Sequence, residues 1–526
     1  MDINGLPPWG ASDDSIAVQL ARRAATDGAH PYAVTDGRTV TITALDAEVD
    51  RVAAALDARG VRPGDRVALM LANSLEHIVL FFALLRLGAC QVPVNVHLRG
   101  AGLEHILTTT GATALVAETD LGEALAGFVA GFDPARLLWR GGVPAGLPGG
   151  DLAALWEYDG PRLSAAPVDP DATVYICFTS GTTGLPKGVM VSDRMLRVAA
   201  HAAGRLGDLR RGDVFHMWEP FYHIGGAEVL VLAVQQPITL ALIPRFSASR
   251  FWDQARAVGA THIHFLGGVL ALLLKQPPRP DDRDHSVRVA WGGGCPPAVW
   301  RAFEERFGVS IRECYGMTEC SSFATQNVSG KVGSVGKPLP WLDVVLVDDD
   351  GRPVPEGERG EIWLRERVPG VLTKGYWGNP EATAALFADG WLRTGDLGAF
   401  DADGDMTYLG RKKDSLRRRG ENVSAFEVER VLNEHPAVEE SAVVGVRNEL
   451  DDEDIKAFLQ LKPGAALDPL DLVRWCEGRL AYFQIPRYVA IVEAFEKTPS
   501  LRIRKELLPR DTNCFDLEAT GYVVKR

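Results

Sequence analysis

The sequence predicts an α/β protein in two parts: a large N-terminal part of parallel sheets covered by helices, with a β-hairpin region at its end, and a small α+β domain after it. Three observations carry this. The chain has 526 residues, more than one hydrophobic core ordinarily organises. Strand-like and helix-like runs alternate through most of it, the rhythm of βαβ units. Between about residues 333 and 409 that rhythm gives way to short alternating runs separated by Asp350-Gly351, Asp389-Gly390 and Asp403-Gly404, a pattern of antiparallel hairpins.

Residues 32–42 alternate around Asp36-Gly37 and predict a hairpin, and helical spacing over 45–56 ends near Gly60. Strands are predicted at 66–72, 90–96 and 114–117, with helices at 74–87 and 101–109 between them. A Gly/Pro-rich connection at 141–150 precedes a second series, with strands at 214–218, 238–243, 261–266, 287–291 and 311–315. Ligands of open α/β sheets collect at the carboxyl ends of such strands. Beyond Arg411 the chain reads as one small domain, with helices at 425–433 and 470–480 and strands at 442–446, 455–461 and 488–492. The boundary falls at 410–414 and divides the chain into 1–410 and 411–526.

Composition is that of a globular protein, 46% hydrophobic and 24% charged. A net charge of −13 argues against general nucleic-acid binding. The basic run R-K-K-D-S-L-R-R-R at 411–419 is a local exception that by itself reads as a solvated face. Seven cysteines (90, 177, 295, 314, 320, 476, 514) are odd in number and form no C-x-x-C pair, so they read as buried free thiols of a reducing compartment. The N-terminal M-D-I-N-G-L-P-P-W lacks the regions of a signal peptide, and the most apolar window, 229–243, is broken by Gln235, Gln236 and Pro237. No membrane span is expected, and the expected location is cytoplasmic.

The densest functional signal is Y-I-C-F-T-S-G-T-T-G-L-P-K-G-V at 175–189. An apolar strand runs into a loop where Gly181 and Gly184 let the backbone approach an anion. Thr179, Ser180, Thr182 and Thr183 add hydroxyl donors, and Lys187 adds a charge. The spacing is not that of a Walker loop. An isolated Gly/Thr loop is more often a polar turn, but the donor density here exceeds what a turn needs. Later pieces are each deniable alone: W-G-G-G-C-P-P at 291–297, E-C-Y-G-M-T-E at 313–319, W-L-R-T-G-D ending at Asp396, G-R-K-K-D at 410–414 and R-R-R-G-E-N-V-S at 417–424.

Taken in this order and over this length, the motifs resemble those of the adenylate-forming superfamily, which includes acyl-CoA synthetases, peptide-synthetase adenylation domains and luciferases. The resemblance covers nearly the whole chain. The G-E-N-V-S stretch and the Gly420 loop are most similar to acyl-CoA synthetases of the carnitine/crotonobetaine-CoA ligase type. The resemblance implies that Thr179, Ser180, Gly181, Thr182, Thr183, Gly184 and Lys187 hold the β- and γ-phosphates of ATP. It places adenine against Gly292, Gly293, Gly294, Cys295 and Tyr315, with Gly316 and Met317 in the same nucleotide-binding stretch. Thr318 would meet the α-phosphate, Glu319 a Mg²⁺ ion, and Asp396 with Arg411 the ribose. Lys413 falls at the family hinge, about which the small, mobile C-terminal domain rotates between half-reactions. Gly420 would line the path of the coenzyme A thiol. ATP, Mg²⁺ and coenzyme A are therefore implied, together with a small or medium carboxylic acid, and the oligomeric state stays open between monomer and homodimer.

Two further stretches stand out. W-E-P-F-Y-H-I-G-G at 218–226 matches the family's aromatic-His stretch beside the acyl pocket, where His223 gates the pocket or orients the carboxylate; the alternative is a core histidine. Glu219 is a less usual neighbour, more often a structural carboxylate, otherwise a partner for a cationic or amino-bearing substrate. K-T-P-S-L-R-I-R-K at 497–505 departs from the family's T-P-S-G-K-like ending, with Leu501 for the glycine and Arg502 for the lysine. Arginine keeps the charge with a different geometry. That departure keeps two other readings in view: activation of nitrite to diazotise an aromatic amine without coenzyme A, and a nucleotide-binding protein without catalysis.

Overall fold

In the computed structural model, which describes residues 14–35, 37–166, 168–179, 186–418, 421–447, 453–477, 479–498 and 502–524, the alternating series divides between two sheets. The first orders its strands Gly150–Asp151, Leu137–Arg140, Ala114–Glu118, Arg66–Met70, Cys90–Pro93, Thr173–Thr179 and Lys187–Ser192. It is parallel until the last pair, which is antiparallel. The second runs Lys337–Pro338, Thr325–Asn327, Ser310–Tyr315, Val289–Gly293, His262–Leu266, Val214–Met217, Thr239–Leu242, Pro31–Thr35 and Arg38–Thr41. Its centre is parallel and both edges are antiparallel. The predicted N-terminal hairpin belongs to this second sheet, with Ala33 opposite Leu240.

Helix Asp193–Gly207 touches strands of both sheets and ties them together. Helix Leu75–Leu87 is buried around nearly its whole circumference, as its continuous apolar sequence requires. Ser74 caps it by accepting from His77 N–H, and Gly88, at φ 74°, ends it in the left-handed conformation that glycine adopts without strain.

The hairpin-rich region forms a third sheet, entirely antiparallel, from Leu342–Val347, Gly360–Glu366, Phe387–Ala388, Trp391–Phe400 and Met406–Arg411. After it come the hairpin Ser415–Arg418 with Glu421–Ser424 and a sheet of Val438–Arg447, Glu453–Leu461, Tyr488–Val492 and Phe515–Asp516. Helices Ala425–Asn433 and Pro469–Cys476 cover this sheet through a separate core that includes Val423, Val428, Leu432, Ile455, Leu459 and Leu472.

Three expectations need correction. The basic run is not simply a solvated face: Arg418 is buried, and its guanidinium bonds Asp454 and the carbonyls of Phe483 and Ile485. All seven cysteines are free thiols, but Cys314 and Cys514 are only half-buried. The second helix of the small domain stops at Cys476, short of the predicted residue 480. No helix among the described residues is long and apolar enough to cross a membrane.

Candidate active site

Strand Thr173–Thr179 enters the Gly/Thr stretch and Lys187–Ser192 leaves it, with Thr179 opposite Lys187. The Thr179 hydroxyl donates to the Lys187 carbonyl at 3.5 Å. Ser180, Gly181, Thr182, Thr183 and Gly184 lie outside the described residues. Lys187 is exposed, with Nζ 5.0 Å from the centre of the Tyr376 ring, a cation–π distance. Tyr376 is held there because its segment extends the edge of the exit strand. Val189 bridges Tyr376, Met190 N–H donates to the Gly375 carbonyl at 3.0 Å, and Trp377 N–H to the Gly188 carbonyl at 2.7 Å.

The Tyr376 hydroxyl donates to Glu319 Oε1 at 2.8 Å. Glu319 is buried, and burial raises its pKa while the tyrosine bond opposes the rise. Among the described residues Glu319 has no ion-pair partner. Its own backbone N–H and the more distant Arg411 charge also oppose the rise, and a buried carboxylate with no direct ion-pair partner is suited to a divalent cation. Thr318, beside it, is also buried. The turn that follows is strained, since Ser321 and Ser322 both adopt positive φ, 54° and 68°. It is pinned by the Ser321 hydroxyl on the Val371 carbonyl, at 2.6 Å, and by a hydrogen bond between Ser322 and the buried Glu228. Gly316 is required for the same fold-back, because a Cβ there would lie 2.1 Å from the Ser322 carbonyl oxygen. Met317 continues the loop, its N–H directed at Cys320 Sγ, 3.4 Å away.

The glycines Gly292, Gly293 and Gly294 leave strand Val289–Gly293, and the N–H groups of Gly294 and Cys295 donate to Glu313 Oε1 at 2.9 and 2.8 Å. Burial pushes Glu313 up to about 7, against the pull of those two N–H groups. Tyr315, at the end of the neighbouring strand, donates its hydroxyl to Asp396 Oδ2 at 2.9 Å and stacks on Tyr408, ring centres 5.6 Å apart. Asp396 stands opposite Arg411 in the third sheet, with Arg411 Nε 3.7 Å from Oδ1. Burial raises the Asp396 pKa and the Arg411 charge opposes it.

The stretch 218–223 is clamped from the first sheet and from its loops. Tyr175 donates its hydroxyl to the Phe221 carbonyl at 2.5 Å. Asn73 donates to the Glu219 carbonyl at 2.8 Å and accepts from Phe221 N–H at 3.2 Å. His223 stands at the N-terminal end of helix Ile224–Gln235; burial lowers its pKa, Glu219 raises it and Arg502 lowers it. His262 is a satisfied core histidine, bonded to the Gly207 carbonyl at 2.9 Å and to Thr261 at 2.8 Å.

Arg502 is set by a tight local turn. Its carbonyl accepts from Thr498 N–H at 2.7 Å and its own N–H donates to Thr498 Oγ1 at 3.1 Å. The side chain is open to solvent, yet enough protein surrounds the guanidinium to lower its pKa, with Arg411 adding to the effect and Tyr408 and Asp396 opposing it. Lys505 is engaged elsewhere, 2.6 Å from Glu429. Lys413 is exposed in the turn Lys412–Asp414 and acts electrostatically on Glu506, so it does not join the cluster; Gly420 lies outside the described residues. The acidic trio Asp401, Asp403 and Asp405 is no rival metal site, because Lys331 Nζ already lies 2.7, 2.8 and 3.5 Å from it.

Sequence reasoning singled out Lys187, Tyr315, Thr318, Glu319, Asp396, Arg411, His223 and Arg502; in the fold Tyr315 and Arg411 meet at Asp396, Glu319 joins Lys187 through Tyr376, and Arg502 acts electrostatically on Asp396 and His223. It missed Tyr376, Glu313 and Asn73. A tyrosine after glycine, a glutamate beginning a motif and an asparagine before a helix carry no signal until their partners are known.

The Lys187–Tyr376–Glu319 chain of contacts and the Tyr315–Asp396–Arg411 group fall on the motifs of an adenylate-forming enzyme. Comparison with known proteins agrees. The AMP-binding enzyme family matches residues 20–377, and the AMP-binding enzyme C-terminal domain matches residues 427–502. The chain belongs to this family. It is 34% identical to the crotonobetaine/carnitine–CoA ligase of Shigella flexneri over 88% of this chain and 92% of that one. Its fold is similar to an anthranilate CoA ligase solved with anthranoyl-AMP, with a TM-score of 0.85, 27% identity, and coverage of 96% and 98% of the two chains. It is also similar to the o-succinylbenzoate CoA synthetase of Bacillus subtilis solved with ATP and magnesium ion, with a TM-score of 0.80, 27% identity, and coverage of 93% and 98%. The enzyme is thus an ATP-dependent acid–CoA ligase that works through an adenylate, and these relatives lend no support to nitrite activation or to a non-catalytic role.

Proposed function

We propose that the protein activates a small or medium carboxylic acid with ATP and Mg²⁺ and passes it to the thiol of coenzyme A. The contacts and electrostatic couplings that link Lys187, Glu319, Asp396 and Arg502, from stretches far apart in sequence, support this reading best. The substrate carboxylate attacks the α-phosphorus of ATP, pyrophosphate leaves, and an acyl adenylate forms. Two anions must approach, so fixed charges and N–H donors lower the barrier. Lys187 and the 179–184 stretch grip the β- and γ-phosphates, and Thr318 meets the α-phosphate. Arg502 faces the charge that develops between the α-phosphate and the substrate carboxylate, where its fork donates to two oxygens at once. The 292–295 loop, with Tyr315, Gly316 and Met317, receives adenine, Asp396 and Arg411 receive the ribose, and His223 stands at the acid's carboxylate. Glu319 would hold Mg²⁺, which supplies Lewis-acid neutralisation of the triphosphate.

In the second half-reaction the thiol attacks the acyl carbonyl and AMP departs. Residues 1–410 and 411–526 act as two domains hinged at Lys413. The separate core after residue 415 and the exposure of Lys413 support this division. Rotation brings the Gly420 loop to the thiol path. A cytoplasmic location fits the need for ATP and coenzyme A.

The test is AMP release from ATP and Mg²⁺ over a panel of carboxylic acids, with and without coenzyme A. An acid that drives steady AMP release only with coenzyme A is the expected result. Absence of AMP release with every acid tried overturns the reading.

A further inference from the structure

Glu219 and His264 form a buried pair to which the adenylation chemistry gives no task. The Glu219 carboxylate lies in short contact with His264 Nδ1, and the two residues are 2% and 3% exposed. Glu219 follows strand Val214–Met217, four residues before His223, and acts electrostatically on it, so the pair sits beside His223. His264 belongs to strand His262–Leu266 and its ring packs on Trp291, centroids 4.4 Å apart, directly before the Gly292 loop. Trp218 closes the flank, its indole N–H donating to the His264 carbonyl at 3.2 Å and its ring lying 5.1 Å from Phe246. The fold makes room for the carboxylate: a Cβ on Gly225 would lie 2.6 Å from Glu219 Oε1.

Neither Glu219 Oε2 nor His264 Nδ1 makes a hydrogen bond to the described residues, and both atoms are buried. Glu219 and His264 together thus present hydrogen-bond acceptors and negative charge between aromatic walls. Among the described residues no lysine or arginine is ion-paired to either. Burying a carboxylate without a cation is costly, and a plain hydrocarbon acyl chain would leave the acceptors unmatched. A trimethylammonium group answers the charge but donates no hydrogen bond. An alkyl primary amine, protonated, answers both, and an aryl amine answers the acceptors with its N–H groups.

We propose that Glu219 and His264 are the specificity-determining pair of the acid site and select a carboxylic acid that carries a primary amine away from its carboxylate. This rests on the acid–CoA ligase reading. The test compares kcat/KM for AMP release, with coenzyme A present, over two matched sets. One is 3-aminobenzoate, 3-methylbenzoate and 3-(trimethylammonio)benzoate; the other is 4-aminobutanoate, pentanoate and 4-(trimethylammonio)butanoate. In at least one set the amine should exceed both partners by about 100-fold, mostly through KM. Glu219→Gln and His264→Asn should each bring that ratio to within a few-fold of one.

A wild-type enzyme that turns over the methyl or trimethylammonium acids as well as the amines overturns the inference while leaving the ligase intact. So does an amine preference that survives both substitutions. Absence of AMP release with any carboxylic acid, these sets included, is failure of the ligase reading itself, and the inference falls with it. Should Glu219→Gln not fold, the wild-type ratios together with His264→Asn decide the question.

Discussion

The Tyr376 hydroxyl bonds Glu319 Oε1 at 2.8 Å while its ring faces Lys187 Nζ at 5.0 Å, so one side chain stands between the phosphate-loop lysine and the buried acid. Tyr376→Phe keeps the ring and the cation–π contact and removes only the bond to the carboxylate. A ligand's supporting hydrogen bond is worth about 10- to 100-fold in metal affinity or activity. The variant should need correspondingly more Mg²⁺ for half-maximal pyrophosphate release. The bond favours the charged carboxylate, so its loss raises the Glu319 pKa further and moves the acid limb of the pH–rate profile to higher pH.

Glu313 anchors the Gly294 and Cys295 N–H groups, and its titration is expected to make that loop pH-sensitive. Its folded pKa is raised from 4.5 to about 7 by burial, so between those values the folded protein keeps a proton that the unfolded chain has released. This group's contribution to stability therefore falls as pH rises from 4.5 to about 7 and is flat above. Glu313→Gln retains an oxygen for the Gly294 and Cys295 N–H groups and cannot titrate. Denaturation midpoints measured from pH 5 to 8 should show the wild-type slope reduced in the variant, and KM for ATP should lose its dependence on pH near 7.

Asn73 reaches the acid-site loop from outside both of its motifs. Asn73→Ala removes the bonds to the Glu219 carbonyl and the Phe221 N–H. The two bonds together stabilise the fold by about 1–3 kcal/mol. Urea melts should show a loss of that size, and steady-state kinetics should show a larger rise in KM for the acid than for ATP, because the clamp acts on the His223 loop and not on the nucleotide loops.

Substitution of Arg502 is expected to separate the half-reactions. Arg502→Ala should slow pyrophosphate release from ATP by about 100-fold or more, the scale of removing one preorganised donor at developing charge. Thioester formation from a supplied acyl adenylate should stay within a few-fold of wild type. Arg502→Lys should recover much of the first step, since it restores an ammonium. Equal loss in both half-reactions would mean that Arg502 holds the fold of its loop and not the reacting phosphate.

Much of this protein was legible in its sequence because the information was local. Hydrophobic periodicity placed helix Ala425–Asn433 and strand Tyr488–Val492 at their observed limits. The order of Lys187, Tyr315, Glu319, Asp396 and Arg502 along the chain announced nucleotide chemistry, since each lies in a stretch whose own residues mark it. Only the tertiary structure decided what depends on distant partners. Two sheets rather than one, Ala33 against Leu240, and Arg418 turned inward to Asp454 are pairings that no local pattern specifies. The same holds for the pieces that tune the site. Tyr376 reaches Glu319 across 57 residues, Asn73 reaches Glu219 across 146, and His264 meets Glu219 from another strand. A short sequence pattern records which groups a stretch offers; whether a buried carboxylate finds a tyrosine, a histidine or a pair of backbone N–H groups is fixed only when packing removes water and leaves each charge with the partners the fold supplies.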